Sequence, residues 1–216
     1  MGFLLLAACG GDDPDLGDVA DDLDRLERAS IELRLEAGGT GFTIRGAFSV
    51  SGDRPLPVAN LRYAPLREGE PTTILLTGDD GFVEVEGVAY RLPAAQLDGL
   101  RIPERGAASA VSSIRLDEWL VDPTRQGDTY EGDGDATVVL EDILALATGL
   151  GAAEVPPVRA GTAGDIRVRV VASGTRLQEL LATGDDLRFR LRLSEHGRPV
   201  TVTPPAEARP FEELGR

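Results

Sequence analysis

The sequence predicts an α+β domain in which about ten strands form one large curved antiparallel sheet beside three or four short helices. Apolar and charged residues alternate over many short segments, as in Ile31 to Glu36, which is typical of strands with one wet face. Helical spacing of apolar residues is confined to a few short segments. Turn sequences such as Thr77–Gly81 join successive strands, so we expect neighbouring strands to be antiparallel.

Length and composition fit one domain. With 216 residues, 42% of them hydrophobic, the chain can build a sizeable core, and no internal stretch marks a boundary. We therefore assign residues 19–216 to a single domain. The net charge of −15 argues against nucleic-acid binding, which depends on clustered basic residues. The single cysteine, Cys9, excludes an intramolecular disulfide and a multi-cysteine zinc site.

The first predicted elements are a helix and then a run of strands. Val19, Leu23 and Leu26 have helical spacing, and they predict a helix over Val19–Ala29 with Asp18 as its N-cap. Six segments with strand patterns follow, at 31–36, 40–50, 61–63, 73–76, 82–85 and 88–92.

The middle of the chain is more helical. We predict a short helix over Ser113–Leu120 that ends before Asp122-Pro123, because proline disfavours helical backbone in the preceding residue. A strand over Tyr130–Val139 would then lead into a helix over Leu140–Thr148, with Gly149 as its stop.

Strand patterns return near the C-terminus. Apolar residues alternate with arginine over 166–170 and 187–193, which predicts two strands. Between them, Thr175 and Gln178 have capping-box spacing and predict a short helix through Leu181, with a bent strand as the alternative. A final extended segment at 199–203 leads into a proline-rich tail.

The first nine residues have the features of a bacterial lipoprotein signal. The apolar run from Phe3 ends in Leu6-Ala7-Ala8-Cys9, which matches the lipobox. In proteins with this motif a diacylglyceryl group is attached to the cysteine sulfur, and the chain is cleaved before that cysteine. We therefore expect residues 1–8 to be a signal peptide and Cys9 to be lipidated.

Three further expectations follow from this N-terminus. The lipid on Cys9 would hold the protein on the extracytoplasmic face of the cell membrane. Residues 9–18, rich in glycine and aspartate, would form an acidic flexible tether. Because no basic residue precedes the apolar run, we expect the true start to lie upstream of Met1. The alternative is an N-terminal strand that carries an ordinary core cysteine.

Several segments, taken in order, resemble the LppX/LprG-type lipoproteins, which are themselves similar to the LolA and LolB carriers. The segments are Gly87–Pro93, Leu116–Pro123 with its Leu-x-x-Trp-Leu-x-Asp-Pro pattern, Val138–Leu146 and Gly197–Pro205. Each segment is weakly specific alone. Their order and the lipobox make the combination more specific, and it covers the chain from about residue 9 to about residue 214.

The resemblance implies a half-barrel, in which the sheet curls around the helices and leaves an apolar cavity for acyl chains. The family binds or carries lipids and glycolipids outside the cytoplasmic membrane. Its ligand contacts are diffuse apolar residues, so no specific contact is carried over to this chain. We place these apolar residues on the concave sheet face: Ile31, Leu33, Leu35, Phe42, Ile44, Leu75, Val83 and Val85. Trp119 and Leu120 would close over the acyl chains. The strand pattern alone would equally fit a fully packed core.

We accordingly expect a monomeric lipoprotein that is attached to the membrane through Cys9, binds a lipid or glycolipid, and has an envelope transporter as a candidate partner. The alternative is a structural or protein-interaction lipoprotein of the envelope, with a filled core and no ligand. Experiments that detect bound lipid separate the two.

No segment has the pattern of an enzyme, metal or cofactor site. The only histidine, His196, lies in a predicted turn, and the sequence has no Gly-x-Ser-x-Gly motif for it to serve. Residues Gly132–Asp135 lack the third glycine of a dinucleotide-binding loop and the ligand spacing of an EF-hand. We therefore expect no catalysis, no cofactor and no metal.

Overall fold

A computed structural model describes residues 15–100, 109–152 and 165–214, and over these residues twelve strands form one sheet. The strands are β1 (Arg28–Ala37), β2 (Thr40–Ser49), β3 (Val58–Pro65), β4 (Thr72–Thr77), β5 (Gly81–Val85), β6 (Val88–Arg91), β7 (Leu120–Gln126), β8 (Thr129–Gly134), β9 (Ile166–Ser173), β10 (Arg176–Thr183), β11 (Leu187–Ser194) and β12 (Arg209–Pro210). The predicted α+β class with a single curved, unclosed sheet is confirmed, although the strands number twelve rather than about ten.

The sheet consists of two antiparallel meanders that meet at its centre. Strands β1 to β6 follow one another in space as they do in the sequence, and so do β7 to β11. The two meanders join where β1 pairs with β11. The short strand β12 is added beside β6 and is parallel to it.

Four α-helices accompany the sheet among the described residues: α1 (Leu16–Asp24), α2 (Ala94–Leu97), α3 (Leu116–Trp119) and α4 (Ala136–Gly149). None of the helices in these residues is long and apolar enough to cross a membrane.

Helix α1 begins earlier than predicted, because Asp15 and not Asp18 is its N-cap. The Asp15 carboxylate accepts from the Asp18 N–H at 3.0 Å, and the Asp18 carboxylate accepts from the Asp15 N–H at 3.0 Å. This reciprocal capping box satisfies two main-chain donors at the helix start. Residues 16–18 of the predicted tether therefore belong to the helix, and residues 9–14 lie outside the described part of the chain.

Helix α4 also begins earlier than predicted. Strand β8 ends at Gly134, and the Asp135 side chain accepts from the N–H groups of Thr137 and Val138 at 2.9 and 3.2 Å. An aspartate N-cap starts a helix strongly, so the predicted continuation of the strand to Val139 is wrong.

The predicted helix over Ser113–Leu120 is shorter, and Asp122 and Pro123 lie in a strand. Helix α3 ends at Trp119 and β7 begins at Leu120. The β7–β8 register shifts between Val121 and Thr124, and Asp122 has a φ of 47°. Proline is tolerated here because β7 is an edge strand with a bulge, where a missing N–H costs no ladder hydrogen bond.

The short helix predicted through Leu181 is wrong, and the bent-strand alternative is confirmed. Residues Arg176–Thr183 form β10, which pairs with β9 on one side and β11 on the other. The bend is a register shift between Leu177 and Glu179. Pairing on both sides gives each residue more main-chain hydrogen bonds than an isolated helical turn, so the local capping signal is overridden.

The concave face of the sheet carries the core, and the convex face carries cross-strand ion pairs. On the concave face Leu33 lies opposite Ile44 and Leu191, and all three are buried. On the convex face Arg45 pairs with Glu32 at 2.8 Å, and Glu131 pairs with an arginine of β9 at 3.0 Å. The alternation seen in the sequence is therefore the alternation between these two faces.

Candidate functional site

Two cavities lie on the concave side, between strands β2–β5 and the C-terminal half of α4. The smaller has a volume of about 170 Å³, and the larger has a volume of about 600 Å³. They share Gly99 and Leu100, which follow α2 and form a wall common to both. The larger volume falls within the ~300–1,000 Å³ of typical ligand pockets.

The larger cavity is lined by strands β3–β5, by Leu92 and α2 beyond β6, by the end of α4 and the residues after it, and by the end of the described chain. The lining residues are Tyr63, Thr72, Ile74, Val83, Val85, Leu92, Gln96, Gly99, Leu100, Thr148, Gly151, Ala152, Phe211 and Leu214. The smaller cavity is lined by Phe48, Val50, Pro57, Ala59, Leu61, Leu76, Gly99, Leu100, Ser109, Ala110, Val111, Ser113, Ala145, Gly149 and Leu150. Neither lining contains a charged side chain among the described residues.

Glycines allow close packing at the borders of these cavities. A Cβ at Gly81 would lie 2.5 Å from the side chain of Leu97, so the glycine lets α2 pack onto the sheet. At Gly151, which has a φ of 82°, a Cβ would lie 2.7 Å from Ile74. A side chain at Gly81 would require the end of the Leu97 side chain to move, and at Gly151 the positive φ disfavours any residue other than glycine.

The chemistry of the site is that of an apolar container. Its polar groups are hydroxyls and an amide, from Tyr63, Thr72, Gln96 and Thr148, and no Asp, Glu, His, Lys or Arg is among the described residues of the lining. Within residues 15–100, 109–152 and 165–214, no group of three or more His, Cys, Asp or Glu side chains could hold a metal ion. The arrangement can remove apolar groups from water and can donate a few neutral hydrogen bonds.

The other half of the concave face is filled by a core around Trp119. This side chain is fully buried, its Nε1–H donates to the Asp142 carboxylate at 2.8 Å, and its ring centre lies 5.8 Å from that of Phe189. Arg115 donates to Asp142 from its main-chain N at 2.7 Å and from Nε at 3.0 Å. The hydrogen bond with Asp142 is the main cause that raises the pKa of Arg115 above its usual value.

The predicted lipid-contact residues divide among the larger cavity, the packed core and the convex side of the sheet. Val83 and Val85 line the larger cavity, so their role as lipid contacts stays a prediction with matching geometry. Five predicted concave-face residues are buried in the packed core and line neither cavity: Ile31, Leu33, Leu35, Phe42 and Ile44. Trp119 and Leu120, which were predicted to close over the acyl chains, are buried in the same core and also line neither cavity. Cys9 lies outside the described residues.

Leu75 was placed on the wrong face. It lies between Ile74 and Leu76, and these two neighbours are the ones that pack against the core. Leu75 is paired with Asn60 and Phe82, on the convex side of the sheet. The run Ile74-Leu75-Leu76 is apolar throughout, so alternation could not decide which residue points inward.

Residues that sequence reasoning missed come from several separate segments. Ile74, Leu100, Phe211 and Leu214 line the larger cavity, and the last two belong to the C-terminal tail. The signal for Ile74 was available, because it lies opposite Val83 once the hairpin at Thr77–Gly81 is registered. No local pattern connects the tail with the cavity.

The comparisons with known proteins bear on the fold. No protein-family model matches the sequence, and no curated protein is significantly similar to it. Among solved structures, LprF from Mycobacterium bovis matches with a TM-score of 0.56 and 18% identity, over 90% of this chain and 100% of that chain. The chain has the LprF fold. The half-barrel that the sequence motifs implied is thereby confirmed.

Two further structures match over a similar share of this chain. The lipoprotein LppX from Mycobacterium tuberculosis matches with a TM-score of 0.41 and 12% identity, over 88% of this chain and 100% of that chain. MucB matches with a TM-score of 0.36 and 15% identity, over 90% of this chain and 62% of that chain. At 18% identity, the likeness to LprF concerns the fold alone.

Proposed function

We propose that this chain is a lipoprotein of the cell envelope, anchored through lipid on Cys9, that binds the acyl chains of an amphipathic lipid or glycolipid without catalysis. The observation that carries the proposal is the cavity of about 600 Å³ on the concave face, with a lining that contains no charged side chain among the described residues. The LprF fold and the lipobox support the same reading.

The cavity suits acyl chains for a physical reason. Its walls are aliphatic or aromatic at Ile74, Val83, Val85, Leu100 and Phe211. Each methylene moved from water to such surroundings gains about 0.8 kcal/mol. The hydroxyl and amide groups of the lining can accept or donate hydrogen bonds at a neutral headgroup or ester.

Native mass spectrometry tests the binding. The full chain with Cys9→Ser, expressed in a bacterium and purified without detergent, should carry a lipid adduct in part of the population. Displacement of the fluorescent fatty acid cis-parinaric acid should then report affinity. No adduct together with no probe binding would refute the proposal and favour an envelope lipoprotein with a filled core.

A matched pair of variants on β5 locates the site. Val83 lines the cavity, and Glu84, its neighbour on the same strand, faces the convex side opposite Thr73. Val83→Trp should place an indole ring inside the cavity and weaken probe binding at least about tenfold, because the ring occupies space that an acyl chain would use. Glu84→Trp adds the same side chain to the other face and should leave affinity within about twofold. Equal effects of both variants would place the site elsewhere.

The anchor has a separate test. In cells, the chain with its natural Cys9 should be found in the membrane fraction. The variant Cys9→Ser should be released from it, because the thioether to the lipid needs the cysteine sulfur. Retention of Cys9→Ser in the membrane fraction would contradict the anchor while leaving the cavity proposal open to the binding assays.

A further inference from the structure

The C-terminal segment crosses the outside of the sheet from its centre to its edge. Beyond β11, Glu195 accepts a hydrogen bond from Ser30 Oγ at 2.7 Å. Residues 198–201 then border, together with Asn60 of β3, a cavity of about 440 Å³ on the convex side. Further on, Arg209 pairs with β6 at the far edge. We name residues 198–214 the C-terminal strap.

The strap is held loosely along its whole length. None of its residues is buried, and residues 199–208 make no main-chain hydrogen bond with the described part of the chain. Its only strand pairing covers two residues, Arg209 and Pro210, and proline has no N–H to donate. By contrast, the ladder between β1 and β2 covers ten residue pairs. Local opening of the strap therefore requires far less free energy than opening of the sheet.

The end of the strap forms one wall of the larger cavity. Phe211 and Leu214 are half-buried and line the cavity with Val83 and Ile74 of the sheet. The Leu214 N–H donates to the Phe211 carbonyl at 2.9 Å, so the two residues lie on one short turn. Movement of this turn would open the cavity at the β6 edge.

We propose that the strap end, residues 209–214, is a displaceable wall that opens to admit lipid and closes over it. The inference rests on the proposed function. Four prolines keep the strap extended, at positions 199, 204, 205 and 210. It can therefore move as one lever about Gly197, which has a φ of 79°. An acyl chain in the cavity adds contacts to Phe211 and Leu214, so the ligand favours the closed position.

A reversible disulfide tests the movement. Arg91 and Pro210 are cross-strand partners. Neighbouring strands lie about 4.8 Å apart, within the ~4.4–6.8 Å between Cα atoms that a disulfide spans. In the full chain with Cys9→Ser, the variant Arg91→Cys/Pro210→Cys should exchange cis-parinaric acid at least about tenfold more slowly when oxidised than when reduced, as expected for a gating step. Each single-cysteine variant should exchange equally under both conditions.

Two outcomes overturn the inference, and one of them is independent of the ligand. Equal exchange rates in the oxidised and reduced double variant would show that the strap does not gate the cavity. If the reduced double variant binds no cis-parinaric acid, the proposed function fails. Hydrogen exchange then tests separately whether the strap end opens. Amides of residues 211–214 should exchange at least about a hundredfold faster than those of β1 and β2. Equal protection would overturn the inference.

Discussion

Removal of the Asp142 carboxylate should destabilise the fold strongly, because this group accepts hydrogen bonds from Arg115 and Trp119, at the two ends of α3. Asp142→Ala leaves the Trp119 indole N–H, in a fully buried side chain, without its partner at 2.8 Å. A buried unsatisfied donor costs ~1–3 kcal/mol. Arg115 loses its acceptor as well, both for its main-chain N–H and for its guanidinium. Because this side chain is 42% exposed, water can replace the lost acceptor of the guanidinium, and this second loss adds less to the cost. The free energy of unfolding should fall by about 3 kcal/mol.

Urea denaturation followed by tryptophan fluorescence measures this effect, since Trp119 is the only tryptophan. With a slope near ~2 kcal/mol/M, the midpoint should fall by about 1.5 M. Glu141→Ala is the control, because Glu141 also accepts from Arg115 but is 64% exposed, and its loss should cost under ~0.5 kcal/mol. A shift for Asp142→Ala no larger than that of the control would refute the reasoning. In a Trp119→Phe background, with unfolding followed by circular dichroism because no tryptophan remains, the cost of Asp142→Ala should shrink, since the indole donor is gone.

Three other substitutions have defined outcomes. Glu86 and Gly87 have φ values of 52° and 77°, typical of a type I′ turn, so Glu86→Asn should raise the unfolding temperature by about 2–4 °C. Burial, aided by nearby Arg176, lowers the pKa of His196 below its ordinary 6.5, so stability should fall as the pH drops below that value. Urea midpoints at pH 7.5 and 5.5 should differ less in His196→Gln than in the unmodified chain. For Glu179, burial would raise the pKa, but hydrogen bonds from two arginines outweigh burial and lower it, so its stabilisation is present above pH 4.5 and lost in acid. Glu179→Gln should therefore cost about 1 kcal/mol at pH 7 and progressively less as the pH falls below 4.5; a cost independent of pH would show that the charge is not the cause.

Alternation identified the strands that have one face in the core. In β1 and β11 the apolar residues that alternate with charged ones are buried. A shift of one residue would turn arginine side chains into the core, so only one orientation of each strand is stable. The same reasoning could not orient Ile74 and Leu75, where both faces are apolar. The capping-box spacing of Thr175 and Gln178 predicted a helix where β10 lies, and this local signal cannot reveal the pairing partners in other segments that override it.

The candidate site was less accessible to prediction than the fold. Two of the predicted contacts, Val83 and Val85, line the larger cavity, whereas the more regular strands supplied the packed half. Regular alternation selects residues that pack well, and a cavity arises where packing is incomplete. Phe211 and Leu214 reach the cavity only after the chain has crossed the sheet, and such a path leaves no periodic signal in the sequence.

The pairing of β1 with β11 has a consequence for how the molecule forms. One edge of β1 is completed by β2 almost at once, but the other waits for residues 187–194, near the end of the chain. Until then β1, which has one apolar face, keeps an unpaired edge that could pair with a strand of another molecule. Contacts so distant along the chain slow folding, so we expect β1–β11 pairing to be a late step. A chaperone that holds the unfinished meander would raise the folded yield more than one that acts on the complete chain.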